Sequence, residues 1–401
     1  MNRFYTHVLR RVVTLNLQET PERETHRQPI TGEDSALRAA GVAAQSVYMR
    51  PWRLSAAACE TMLKFLKDST LPIARGLGVF NMVAGSRWRQ QRLLILCYHG
   101  LSLKDEHEWS CVYVTPAFFR RRLETLARGG YRVLQLDDAL RMLHEGSLPP
   151  KAVVITFDDG FHNFHQVGFP MLREFGFPAA VYQTTYYADQ GFPVFNQVLS
   201  YLLWRSDGRR FDGGAYSVPG VFDLSREEDR NRAVDAFRES AHRQRFTPAE
   251  KDDLAARIAG ELNVDYAEIL RLRLLHLMTA SQISEIAAGG IDVQLHTHRH
   301  RAPLDEESFV REIRDNRRWL AERTGTPPSH FCYPSGQHRD EFLPWLRAEH
   351  VASATTCDLG MADRTCEPLL LPRLVDSSIV TDVDFEAWLS GVSAFLPRRR
   401  R

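Results

Sequence analysis

Long uncharged apolar runs are missing from this 401-residue chain. The longest near the start, Gly76 to Ser86, is about half of what a bilayer crossing needs. No transmembrane helix is expected. Net charge is nearly missing too: 51 Lys and Arg face 50 Asp and Glu. A general nucleic-acid binder carries a basic excess, so no nucleic-acid partner is expected. A secretory signal pattern is also lacking. Arg10 and Arg11 precede only Val12 to Leu17, interrupted by Thr14 and Asn16, and Glu19, Glu22 and Glu24 follow. A signal needs a longer apolar core and a small-residue cleavage site. The expected location is the cytoplasm, extending to the inner face of its membrane. No C-x-x-C pair occurs among Cys59, Cys97, Cys111, Cys332, Cys357 and Cys366. A chain this long can bury a core without disulfides, so most of these thiols are expected to be reduced, small apolar residues.

What is present fits a globular protein. Apolar residues make up 44%, and the length suits one large α/β domain with additions, or two domains. Charge is unevenly spread. Residues 1–91 carry thirteen Lys and Arg against seven Asp and Glu, which leaves the remainder mildly acidic. The expected organisation is a basic, partly helical extension over 1–91, a body over 92–390 and an Arg-rich tail over 391–401. Residues 18–36, with Pro21, Pro29 and Gly32, read as a linker. Residues 55–68 have helical spacing. The apolar stretch Leu71 to Trp88, with Lys67, Arg75, Arg87 and Arg89 nearby, would suit either packing on the body or peripheral contact of residues 55–91 with an anionic membrane face.

From Leu93 onward, short apolar runs alternate with helical stretches. Strands are predicted at Leu93–Cys97, Tyr131–Val133, Ala152–Phe157, Ala179–Thr184, Ile291–His296, His330–Tyr333, Ala352–Thr356 and Leu369–Leu374. Helices are predicted between them, among others at Pro116–Arg128, Leu136–His144, Val167–Phe175, Glu306–Thr324 and His338–His350. This alternation implies a parallel sheet covered by helices, and the strand number favours a (β/α) barrel over an open sheet. Residues 206–276 break the rhythm and read as a mostly helical insertion. No internal repeat is visible.

Three features fall at predicted C-terminal strand ends, the edge where sites assemble in parallel α/β folds. Thr156-Phe157-Asp158-Asp159-Gly160 ends a β-prone run in two adjacent carboxylates. Burying both costs energy unless a cation or donor compensates, and a metal ligand beside a general base is a natural division. His296-Thr297-His298-Arg299-His300 follows another strand. Histidines four apart can close on one ion if the chain curls, and neutral imidazole suits zinc. Phe331-Cys332-Tyr333-Pro334-Ser335-Gly336 ends in a tight turn that can present backbone N–H groups to an oxyanion. One Asp and two His supply three ligands and leave a fourth position open, the layout of a catalytic site. The second Asp can then take a proton from water, which implies metal-assisted hydrolysis of an acyl bond.

These motifs, in this order, resemble those of the polysaccharide deacetylase family (the NodB-homology domain, carbohydrate esterase family 4). Cys97-Tyr98-His99-Gly100 resembles the Tyr-His on the first strand of many members. The resemblance implies an irregular (β/α) barrel of fewer than eight full units. It implies a divalent metal, with zinc expected, and an acetylated carbohydrate substrate losing an N-acetyl or, in some members, an O-acetyl or formyl group. By carry-over, Asp158 is the general base, Asp159, His296 and His300 are the metal ligands, and the Ser335 backbone N–H polarises the carbonyl. Two departures stand out. The third motif usually opens with an Arg that orients the base; Cys332 occupies that place, and Arg373 in LPRLVD could supply the guanidinium instead. The His that usually serves as general acid does not follow Leu371, which leaves His99, His298 or another group for the role. His162 and His165 read as helix-surface residues, and Asn196 and Gln197 as candidate sugar contacts. Two alternatives remain: a non-catalytic carbohydrate-binding protein on the same fold, and a membrane-surface enzyme acting on a lipid-linked sugar.

Overall fold

The computed structural model describes residues 69–206 and 208–396. The predicted linker at 18–36, the helix at 55–68, most of the basic extension and the last five residues of the tail lie outside the described residues.

Seven parallel strands close into a ring in chain order: β1 (Leu94–Tyr98), β2 (Ala152–Phe157), β3 (Ala180–Gln183), β4 (Asp292–Leu295), β5 (His330–Cys332), β6 (Ser353–Leu359) and β7 (Leu371–Val375). β1 pairs with β2 on one side and with β7 on the other. Nearly every strand residue is buried, because side chains fill the barrel inside and helices cover it outside. Ile95, Val154, Ala180, Tyr182, Cys332 and Leu371 form one apolar cluster with Leu136, Ala139, Leu140 and Leu143. The helix Leu136–Glu145 thus packs into the N-terminal end of the ring. Leu94, Leu96, Val153, Ile155 and Phe157 alternate with the first set and join the larger core under the outer helices.

The predicted strand at Tyr131–Val133 does not enter the ring. Arg132–Val133 pairs only with Ala152 and Val153, at the start of β2. Farther along, the same edge of β2 is taken by β3, at Thr156 and Phe157. Two ladder positions are all that remain for it.

Between β3 and β4 the chain builds helices Phe195–Arg205, Glu227–Arg243, Pro248–Leu262 and Tyr266–Arg271, together with an antiparallel hairpin of Arg210–Asp212 and Val221–Asp223. The hairpin was not legible: three-residue strands are too short for a period-2 pattern. The segment returns to the barrel beside β2. His162 donates its backbone N–H to His276 O at 2.8 Å, Met278 donates to Gly160 O at 2.9 Å, and Phe161 bridges Leu277. The predicted helix at His338–His350 forms only over Phe342–Ala348. The helix Phe169–Phe175 is preceded by a wide turn at Phe164–Gly168.

Residues 69–76 are helical, and short helices follow at Val79–Ala84 and Arg87–Gln90. Leu71 and Phe80 pack with Ala387 and Val392, so one face of this stretch is docked on the body. Ile73, Leu77 and Met82 are 62%, 77% and 70% exposed on the other. No helix among the described residues is long and apolar enough to cross a membrane.

Candidate metal centre and catalytic cleft

The first site element is the turn after β2. Asp159 adopts a left-handed backbone, φ 70°, and Gly160 follows at φ 78°. A Cβ on Gly160 would lie 1.9 Å from Gln183 Oε1, so the turn requires glycine there. The second element is the loop after β4. Thr297 at φ 62° and His300 at φ 53° curl it back on itself. The His296 and His300 rings then meet with centroids 4.7 Å apart.

Asp159, His296 and His300 converge. Asp159 Oδ1 lies 3.3 Å from His296 Nε2 and 3.2 Å from His300 Nε2, and all three side chains are buried. These contacts lack hydrogen-bond geometry: Asp159 Oδ1 and both ring nitrogens of His300 have no hydrogen-bond partner. Buried polar atoms left this way are costly unless something else satisfies them. Their spacing matches the edge of a ligand tetrahedron, about 3.3 Å for donors about 2 Å from an ion. His296 Nδ1 sits 2.8 Å from Cys332 O, which makes Nδ1 the donor there and leaves Nε2 facing the trio. The donor set therefore fits a divalent cation, with zinc chemically suited to it. Burial alone would raise the Asp159 carboxyl; the two imidazoles outweigh burial and hold it well below the usual carboxylate range.

Beneath the trio lies a second buried layer. Arg373, projecting inward from β7, donates Nη1 to Asp158 Oδ1 at 2.7 Å and Nη2 to Oδ2 at 2.8 Å. Its Nε donates to Thr356 O at 2.9 Å, and Nη1 also reaches Thr156 Oγ1 at 3.2 Å. Burial would raise the Asp158 carboxyl; the guanidinium outweighs it and keeps the group ionised. Cys97 and Cys332 each place Sγ 3.4 Å from Asp158 Oδ2. Cys332 thus stands at the foot of Asp158 while the guanidinium arrives from the strand two places on.

The other predicted residues divide. His99 is buried, with Nε2 3.9 Å from Asp158 Oδ2. His298 turns elsewhere: its Nδ1 is 2.8 Å from Thr185 Oγ1, and its ring meets Tyr186 edge-on. Ser335 sits on the turn after β5 at φ 57°, followed by Gly336 at φ 64°, where a Cβ would lie 2.9 Å from Cys357 Sγ. His162 is not on a helix surface. It is buried, with Nδ1 within 3.2 Å of Gln282 Oε1, because the returning segment 276–278 covers it. His165 is partly exposed and lies 2.8 Å from Glu285 Oε2. Gln197 accepts from the Tyr113 hydroxyl at 2.8 Å, and Asn196 is buried beside it on the same helix.

Two buttressing residues escaped the sequence reading. Glu312 accepts from the Arg299 backbone N–H at 2.7 Å and from the Arg301 side chain at 2.8 Å, and its own carbonyl accepts from His298 N at 3.2 Å. Asn316 accepts from His296 N at 3.0 Å and donates to Gln183 O at 2.9 Å, tying the ends of β3 and β4 together. Both lie on the helix Glu306–Thr324, whose buried stripe includes Phe309, Ile313 and Leu320. Polar residues within an apolar stripe were the available signal.

A closed barrel of parallel strands with a buried carboxylate–imidazole trio that could hold a metal ion defines the class: a (β/α) barrel protein. The sequence model of the polysaccharide deacetylase family matches residues 145–350, just over half of the chain. The chain belongs to that family. Over 101 residues it is 30% identical to poly-beta-1,6-N-acetyl-D-glucosamine N-deacetylase of Escherichia coli (strain K12), a match covering 25% of this chain and 15% of that protein. The fold is similar to that of the Streptococcus pyogenes deacetylase PplD, solved in complex with acetate: TM-score 0.50 at 17% identity, covering 77% of this chain and 99% of the other.

Proposed function

We propose that this protein is a metal-dependent carbohydrate deacetylase that hydrolyses an acetyl group, N-acetyl foremost, from an amino sugar in a polysaccharide, oligosaccharide or lipid-linked glycan. One observation carries the reading: the orphaned Asp159 Oδ1 and His300 nitrogens, gathered with His296, lie beside an Asp158 carboxylate that Arg373 holds ionised. A divalent ion held by those three residues, zinc in the first instance, would supply Lewis acidity toward the acyl carbonyl and toward water. Asp158 is the general base and accepts the proton of the attacking water. A carboxylate held this far down is a weak base, so the reaction depends on the water being acidified. Arg373 is a positioning residue that fixes both oxygens of Asp158. The Ser335 backbone N–H donates to the developing oxyanion. His99, beside Asp158, is the group that returns a proton to the leaving amine.

The test is acetate release by the zinc-loaded full chain from N-acetylated chito-oligosaccharides and β-1,6-linked N-acetylglucosamine oligomers. Asp158→Asn is expected to lower the rate by about 10²- to 10⁴-fold. A variant at the wild-type rate contradicts the assignment. Silence across the panel with sugar binding intact supports the non-catalytic reading instead.

We also propose that the reaction takes place in the cytoplasm at a membrane face, with residues 55–91 as the peripheral contact. The exposed row Ile73, Leu77 and Met82 supports this. Flotation with anionic vesicles tests it, and failure to float contradicts it.

A further inference from the structure

The segment that returns from the insertion to the barrel carries a cation that no carboxylate among the described residues neutralises. Arg273 is half-buried, and no carboxylate among the described residues pairs with it. Its Nη2 donates to Leu277 O at 3.3 Å. Its Nε is buried and has no hydrogen-bond partner. Burial pushes its pKa down. An arginine loses hydration on burial and normally recovers it from an anion or a set of carbonyls. Arg89 shows the usual solution, donating to the carbonyls of Leu389, Arg92 and Ala152. Arg273 has one such contact, and a long one.

The backbone around it is strained. Arg273 has φ 51° and Leu275 φ 59°, two left-handed non-glycine residues within three positions. Strain of this kind persists where surrounding structure holds a side chain for a purpose. What holds it here is the antiparallel contact of residues 276–278 with residues 160–162, the turn that leads directly out of Asp158 and Asp159. The acceptor of the Arg273 Nη2 donation, Leu277, is the residue bridged to Phe161. The guanidinium is thereby tied to the segment that pairs with residues 160–162. The same stretch supplies no competing acid. Between Tyr266 and Met278 the only carboxylate is Glu268, and it is already shared between Lys104 and Arg271.

We propose that Arg273 is an anion subsite at the rim of the cleft, which takes a carboxylate or phosphate group carried by the glycan next to the acetylated amino sugar. This rests on the deacetylase reading and narrows its substrate to an anionic glycan: one with a uronate-type carboxylate, or one with a sugar phosphate. The planar guanidinium suits both groups through paired N–H donors.

Three probes test it on the zinc-loaded full chain: N-acetylglucosamine 1-phosphate, a disaccharide of N-acetylglucosamine and glucuronic acid, and neutral N,N′-diacetylchitobiose. Equilibrium binding is measured by calorimetry and acetate release is measured in parallel. At least one anionic probe is expected to bind about tenfold or more tightly than the neutral one, the scale of a charge-assisted hydrogen bond. Arg273→Gln is expected to bring that ratio close to one, and Arg273→Lys to leave an intermediate ratio with the fold intact by thermal melting. Which anionic probe prevails identifies the source of the charge. A wild-type ratio of about one, no binding of either anionic probe, or a ratio that survives Arg273→Gln overturns the proposal. Preferential anion binding without acetate release from any probe leaves the subsite standing and removes the deacetylase reading. Acetate release with equal affinities does the reverse.

Discussion

Arg373 and Asp158, 215 residues apart in the chain, meet through two parallel contacts of 2.7 and 2.8 Å in the floor of the cleft. Both are almost fully buried. A buried pair of this kind is worth little against an apolar replacement of both partners, but removing one partner strands a charge. Arg373→Met is therefore expected to destabilise the fold by about 3–5 kcal/mol. The double variant Asp158→Asn with Arg373→Met is expected to recover part of that loss. Chemical denaturation of the wild type, Arg373→Met, Asp158→Asn and the double variant measures the coupling, and simple additivity would show that the pair does not act as a unit.

Metal removal is expected to lower the melting temperature. The Asp159 and His300 donors have no other partner, so an ion bound to the folded state stabilises it by mass action, about 2.7 kcal/mol when free ion is a hundredfold above its dissociation constant. Thermal melting with and without chelator checks this in the wild type and in His300→Ala. The variant is expected to melt at the same temperature under both conditions.

The insertion's anchor is expected to weaken in acid. His276 is buried, and burial first, opposed by the Leu274 carbonyl and helped by the neighbouring Arg273 and His162, sets its pKa down to about 4. Its unfolded value is about 6.5. Above pH 6.5 neither state binds the proton. As pH falls from 6.5 toward 4, the unfolded chain takes up a proton that the folded one refuses, so stability drops, by on the order of 3 kcal/mol at full extent. His276→Gln is expected to flatten that part of the stability–pH curve. An unchanged slope between pH 6.5 and 4 in the variant would contradict the assignment.

Glu312 is expected to matter although it touches no reacting atom. Its carboxylate holds the backbone of Arg299 and the side chain of Arg301. Glu312→Ala frees the loop that positions His300. The expected result is a metal affinity lower by about 10- to 100-fold, the usual cost of losing support behind a ligand. Zinc titration with a competing chromophoric chelator measures it.

How much of this was legible from the residues alone follows from how each feature is encoded. Asp158, Asp159, His296 and His300 were readable because each pair is local in sequence and ends a strand. Arg373 could be named only as a substitute for the missing motif arginine, since its position depends on β7 closing the ring beside β1. Glu312 and Asn316 were hidden by helix periodicity, which treats a buried polar residue as noise. The thiols of Cys97 and Cys332 at Asp158 are a tertiary contact with no local pattern. The ring holds seven strands and not eight because strand competition along one edge of β2 is decided by neighbours, beyond the reach of a run of three β-prone residues.

The convergence of Asp159, His296 and His300 on a single ion is tested most directly by X-ray absorption at the zinc edge of the metal-loaded full chain, alongside the metal-to-protein ratio. One zinc per chain, with two imidazole shells and a carboxylate oxygen at about 2.0–2.2 Å, is expected, and His300→Ala should remove one imidazole shell. A wild-type spectrum dominated by sulfur at about 2.3 Å, or one unaltered by that substitution, would contradict it.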